Sequence, residues 1–170
     1  MILQYDTSVS VRTLGVAEID AYRDHLLRLD EDSRQCRFGD SNDDAGILAY
    51  CLNLTLGPTV VIAAFNRDDI RAACEIKMDS DSGTADLFIS QEREWCEGTV
   101  GRDLMRESLI ACFTLGAETV TVTVGPQDRQ ARALATRFGF DRTGVSAPGP
   151  EVAAAFSRPL PNLTPVLAVG

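Results

Sequence analysis

Apolar positions follow two rhythms along the 170 residues. Val9 to Leu14 alternates and predicts a short strand. From Glu18 to Leu29, Ile19, Tyr22, Leu26, Leu27 and Leu29 keep a helical spacing. Asp30 to Phe38 is charged, carries Ser33, Arg34 and Arg37, and predicts a short turn of helix. Ser41 is placed to cap the next helix, with Asp43 and Asp44 in the first turn and Gly57-Pro58 as the stop. Ile47, Leu48, Tyr50, Cys51 and Leu54 form the core-facing stripe of that helix. The rhythm then changes. Thr59 to Phe65, Ile70 to Met78 and Thr84 to Ser90 are apolar or alternating runs. The breaks at Asn66-Arg67-Asp68 and Asp79-Ser80-Asp81-Ser82-Gly83 predict hairpin turns and antiparallel pairing. Gly98 to Leu115 is helical again, through Val100, Leu104, Leu109, Cys112 and Phe113, with Gly116 just past its end. Glu118 to Val124 predicts a strand, and Gln127 to Phe138 a helix entered after Gly125-Pro126 and ended by Gly139. Phe140 to Val145 and Val152 to Ser157 are the last strands, before a tail without period from Leu160 to Gly170. The order β-α-α-β-β-β-α-β-α-β-β predicts a mixed α/β sheet.

Composition narrows what these elements can serve. With 45% hydrophobic and 24% charged residues, the chain can bury a core of ordinary size. One domain over residues 1–170 is expected, with an irregular tail from 158. No apolar run is long enough for a membrane span. The start MILQYDTSVSVRT lacks the basic and apolar regions of a signal peptide, so the expected location is the cytoplasm. Sixteen Lys+Arg against 25 Asp+Glu, a formal charge of −9, argues against a nucleic-acid partner. Cys36, Cys51, Cys74, Cys96 and Cys112 have the spacing of neither a disulfide framework nor a zinc knuckle, and most read as small core residues. His25 is the only histidine, and reads as a helix-surface or half-buried residue rather than a catalytic one.

The informative stretch runs from Asp86 to Phe140. A strand leads into the loop Gln91 to Glu97, and Gly98-Thr99-Val100-Gly101 opens a long helix. Physically this is an anion cradle. Glycines let a ligand approach the backbone, and first-turn N–H groups have no partner within the helix. The helix dipole adds about 0.3–1 kcal/mol for an anion placed there. Two glycines at a helix start also describe a plain capping turn.

Flanking segments give that turn a context. WCEGTVGRDLM (Trp95 to Met105) is followed by PQDRQARALATRFGF (Pro126 to Phe140), and LLRLDEDSRQCRF (Leu26 to Phe38) precedes both. Together they resemble the GNAT acetyltransferase superfamily, over roughly residues 9 to 145. In that family a Q/R-x-x-G-x-G/A loop after a strand holds the pyrophosphate of acetyl-CoA, and a later segment ends in L-x-x-x-x-G-F, as Leu134 to Phe140 does here. The first segment is similar to the L-x-x-L-x-x-E-S-R-x-x-R-F start of the branch that includes bacterial protein-lysine acetyltransferases. The resemblance implies a mixed, mostly antiparallel central sheet flanked by helices on both faces. It also implies acetyl-CoA as co-substrate, no metal, and an amine acceptor that is a protein lysine or a small molecule.

Carried over residue by residue, the resemblance puts Ile89, Ser90, Gln91, Cys96, Gly98, Thr99, Val100, Gly101, Arg102 and Asp128 at the cofactor. Backbone N–H groups near Ile89 and Gln91 would hold pantetheine and polarise the thioester oxygen. Asp86 is the candidate base for the acceptor ammonium, acting through water, against a plain reading as a solvent-facing strand acid. The chain departs from the motif at several places. Cys96 stands for the leading Gln/Arg, Thr99 for the first glycine, Asp128 for an asparagine, and Ala135 for a tyrosine used as general acid. Glu92, Glu94 and Glu97 bring negative charge beside the expected pyrophosphate, which Arg93 and Arg102 can offset. Arg34 and Arg37 are expected to pair with neighbouring acids or to line an acceptor groove, and Trp95 to anchor the loop. Two classes of function follow: an N-acetyltransferase, or a degenerate GNAT-like domain that binds acyl-CoA or a protein partner in a regulatory role. A homodimer through the apolar tail stays open.

Overall fold

A computed structural model describes residues 9–54, 56, 58–95, 98–125, 128–146 and 153–160. Its seven strands lie in one sheet, in the order β1-β2-β3-β4-β5-β7-β6. They are β1 (Val9–Thr13), β2 (Thr59–Asn66), β3 (Asp69–Asp79), β4 (Thr84–Gln91), β5 (Thr119–Val124), β6 (Asp141–Ser146) and β7 (Ala153–Pro159). Only the β4–β5 pairing is parallel; every other neighbouring pair is antiparallel. That single reversal follows from the crossover helix α4 (Val100–Thr114), which returns the chain to the start of the sheet before β5.

Burial on both faces explains the unbroken apolar runs of β2 and β3. One face packs Cys74, Ile76, Leu87 and Val122 against Leu104, Met105 and Cys112 of α4 and Ala135 of α5 (Arg129–Arg137). The other packs Val61, Ala63, Phe65 and Ala73 against α1 (Ile19–Arg28) and α3 (Asp44–Asn53), through Tyr22, Leu26, Ile47 and Cys51. Cys51, Cys74 and Cys112 are thus core residues; burial pushes the thiols of Cys74 and Cys112 up to about 12. Among the described residues no helix is long and apolar enough to cross a membrane.

Three local expectations change. The charged segment after α1 is a full helix, α2 (Glu31–Phe38), capped by the Asp30 side chain on the Ser33 N–H at 2.8 Å. Its support is tertiary, because Arg34 ties back to the Leu27 and Leu29 carbonyls at the end of α1. The cap of α3 is Asp43, whose carboxylate accepts from the Gly46 N–H at 2.7 Å, and Ser41 ends the 3-10 turn before it. Finally, α3 stops at Asn53, ahead of Gly57-Pro58, where the Asn53 amide donates to the Ala49 carbonyl at 2.8 Å.

Candidate active site

The site begins with a gap in the sheet. The β4–β5 ladder joins Thr84–Leu87 to Thr119–Val122 and ends there. Beyond it, Phe88 to Gln91 remain paired with β3 on one side only. The direction of the free groups follows from alternation. The Glu92 N–H donates to the Arg71 carbonyl at 3.0 Å, so Glu92, Ser90 and Phe88 face β3 with their backbone polar groups. The N–H and C=O groups of Ile89 and Gln91 therefore face the gap, where no strand covers them among the described residues.

A tight turn brings α4 to the end of that gap. Gly98 has φ +108°, a conformation that L side chains rarely adopt, and space is open where its side chain would stand. Thr99 is the N-cap of α4 and makes no side-chain cap bond. The N–H groups of the first turn, on Val100, Gly101 and Arg102, thus have no partner within the helix. Gly98, Thr99 and Arg102 are exposed, Gly101 is half-buried, and Val100 turns into the core. The Gln91 side chain lies on this turn. Its amide donates to the Trp95 carbonyl, and its Oε1 would stand 3.3 Å from a Cβ on Gly101. Trp95 packs against the core and holds the loop, as expected, with the Arg71 guanidinium 5.8 Å from its ring centre.

Of the three loop glutamates, Glu92 is turned inward and neutralised. It accepts from Arg28 Nε at 2.9 Å and Arg71 Nη1 at 3.0 Å, and lies 3.2 Å from His25 Nδ1. Burial alone would raise the carboxyl, but these hydrogen bonds outweigh it and hold it at about 2. Arg93 reaches Asp30 at 3.1 Å and so pins α2 to the loop. His25 is fully buried, which corrects its reading as a surface or half-buried residue. Burial lowers its basicity, partly countered by Glu92. Nδ1–H then donates to the ionised Glu92, and the Ser90 hydroxyl donates to Nε2 at 2.9 Å. Ser90 faces α1, away from the gap, and joins α1 to β4.

The face that carries Ser90 also carries Asp86 and Phe88, and across the pairing Glu75 and Lys77. Asp86 is exposed and accepts from the Thr121 hydroxyl of β5. Glu75 is fully buried and takes a hydrogen bond from Tyr22 at 3.1 Å, from Tyr50, and from Arg37 at 2.8 Å. Burial would raise its carboxyl; Arg37, Tyr50 and Lys77 bring it below the ordinary value. Helix α2 roofs this side of the gap. The Arg37 guanidinium lies 4.7 Å from the Phe88 ring centre, and Cys36 Sγ would stand 3.0 Å from a Cβ on Gly125, just past β5. Arg34 pairs with the nearby Asp44, whereas Arg37 reaches the distant Glu75.

Of the predicted residues, Ile89 and Gln91 thus border the gap together with Gly98 to Arg102, whereas Asp86 stands within the β4–β5 ladder on the opposite face and Ser90 is turned away towards His25. Asp128 is the N-cap of α5, its carboxylate taking the Ala131 N–H at 2.8 Å. Ala135 is core. Cys96 and Glu97 lie outside the described residues, as does the tail beyond Leu160. Sequence reasoning missed Glu75 and its partners Tyr22 and Tyr50. The available signal was a carboxylate inside the apolar run Ile70 to Met78.

No family model and no curated protein matches the chain. Solved structures do. An acetyltransferase of the GNAT family from Streptococcus pneumoniae matches with a TM-score of 0.72 and 16% identity, covering 91% of this chain and 100% of that one. The GNAT domain of Streptomyces lividans PAT (named S. lividans PAT) matches at 0.73 and 12%, covering 89% and 90%. The ribosomal-protein-S18-alanine N-acetyltransferase of Escherichia coli matches at 0.68 and 16%, covering 89% and 93%. With the reversed β4–β5 pair and helices on both faces, the chain has the fold of the GNAT acetyltransferases.

Proposed function

We propose that the chain transfers the acetyl group of acetyl-CoA to an amine. The observation that carries this reading is the half-open edge of β4, which leads directly to the exposed first turn of α4. A pantetheine arm carries amides and can hydrogen-bond along Ile89 and Gln91 as a strand would. Its pyrophosphate then meets the Gly98–Arg102 turn, with Arg102 as the cation at hand. The same edge offers the Ile89 or Gln91 N–H to the thioester oxygen as it gains charge. Asp86 lies on the neighbouring face of β4, exposed, and takes the ammonium proton through water. Asp128 contributes through its helix cap, by fixing the start of α5. Electrostatic support for the acceptor is the net charge of −9, which favours a cationic amine such as a lysine side chain.

A second reading, an acyl-CoA-binding domain without turnover, is favoured by one specific arrangement. Gln91 lies against Gly101 and the Trp95 carbonyl, where a phosphate would approach, and Ala135 offers no general acid. Calorimetric titration with CoA, followed by thiol release from acetyl-CoA with a panel of amines, separates the two. Binding with turnover supports acetyl transfer. Binding without turnover supports the second reading. No binding at millimolar CoA removes both.

A further inference from the structure

Lys77 is the single lysine of the sequence; every other position among its 16 Lys+Arg is arginine. It stands on β3 directly opposite Asp86, next to the stretch of β4 that borders the gap. Its ammonium is 3.2 Å from Glu75 Oε1, 5.0 Å from the Phe88 ring centre and 5.6 Å from that of Tyr50. A carboxylate and two ring faces are what would receive any alkylammonium. Here the chain's own amine fills that place. Its side chain is 44% exposed, whereas the carboxylate beside it is closed to solvent. Charge balance at Glu75 does not require it, because Arg37 already pairs with the same carboxylate at 2.8 Å in a nearly closed setting. An arginine in place of Lys77 would keep the ion pair but remove a nucleophile, since guanidinium stays protonated.

Resting on the acetyl-CoA reading above, we propose that Lys77 is an acceptor built into the site, and that the chain acetylates it in cis. The Lys77 ammonium gives one proton through water to Asp86. The freed Nζ attacks the thioester carbonyl, the C–N bond forms, the C–S bond breaks, and CoA leaves as its thiol with the second nitrogen proton. The product is a neutral amide. It leaves Arg37, among the described residues, as the single cation on Glu75 and on the Tyr50 and Phe88 faces.

The test uses the whole chain with isotopically labelled acetyl-CoA, read by intact mass and peptide mapping. Expected is one acetyl group on Lys77, added at a rate independent of chain concentration. The rate should exceed that of the same lysine in urea-unfolded chain by about tenfold or more, as a positioned amine requires. In Lys77→Arg, which keeps a cation beside Glu75, the β3 peptide stays unlabelled. A folded-chain rate equal to the unfolded one, or a rate proportional to chain concentration, overturns self-transfer in cis. Thiol release with added amines while Lys77 stays unmodified also overturns it, yet leaves acetyl transfer standing. Absence of both reactions removes the two readings together.

Discussion

Two carboxylates a few residues apart, Asp86 on β4 and Glu92 just past its end, carry different physics. Glu92 is nearly closed off and held by Arg28, Arg71 and His25, whereas Asp86 is exposed and touches a threonine hydroxyl. Glu92 has a folded value of about 2 against an ordinary 4.5, so it stabilises the fold above about pH 4.5 and loses that contribution as pH falls towards 2. The full swing is on the order of 3 kcal/mol. Buried, neutral His25 acts in the same direction, because the unfolded chain takes up a proton there first as pH falls below its ordinary 6.5. Urea denaturation from pH 7 to 3 should therefore show falling stability, and Glu92→Gln should be less stable at pH 7 with a flatter acid limb. An equal acid slope in wild type and variant would show that Glu92 is not the group. Asp86→Asn should behave otherwise: turnover falls by about a hundredfold, the size of a lost general base, with CoA affinity unchanged. Unchanged turnover would leave Asp86 as a strand acid.

At the scale of elements, the turn into α4 is the sensitive one. Gly98 holds φ +108° with open space around it, so an added methyl meets backbone strain rather than a neighbour. Gly98→Ala should cost about 1–2 kcal/mol, read by thermal denaturation, and should weaken CoA binding in the same titration by re-aiming the first-turn N–H groups. A loss of stability with intact affinity would show that these N–H groups do not hold the ligand. The elements were legible where the cause is local. Strands β2 to β4 follow from alternation and their turn residues, and α4 from its stripe and the glycines around it. Helix α2 was less legible because few apolar residues mark it and its anchors, Arg93, Arg34 and Arg37, act through contacts in space. The start of α3 was displaced by two residues because Ser41 and Asp43 are both good caps, and the carboxylate is the one that reaches Gly46. In the site, the strand-loop-helix order was readable from the glycines and the motif. The clusters around Glu92 and Glu75 were not, because His25, Arg28, Tyr22 and Arg37 stand 67, 64, 53 and 38 positions from the carboxylates they meet.

Over the whole molecule, charge and sheet architecture set the terms of encounter. A net charge of −9 attracts cationic amines from a distance, and salt screens that attraction. For a lysine-rich peptide, kcat/KM should fall as salt rises from about 0.01 to 1 M, over which the screening length shrinks from about 30 to 3 Å. A neutral amine should show little change; equal behaviour of the two would remove steering from the picture. The interrupted pairing between β4 and β5 has a wider consequence. Unmatched strand edges are ordinarily found at the rim of a sheet, where any extended peptide can add itself. This chain carries one in the interior, walled by helices above and below. On the reading proposed above, the visitor is slender, rich in amides and anionic at one end, and the missing stitches then act as a filter on shape before any side chain reads the chemistry.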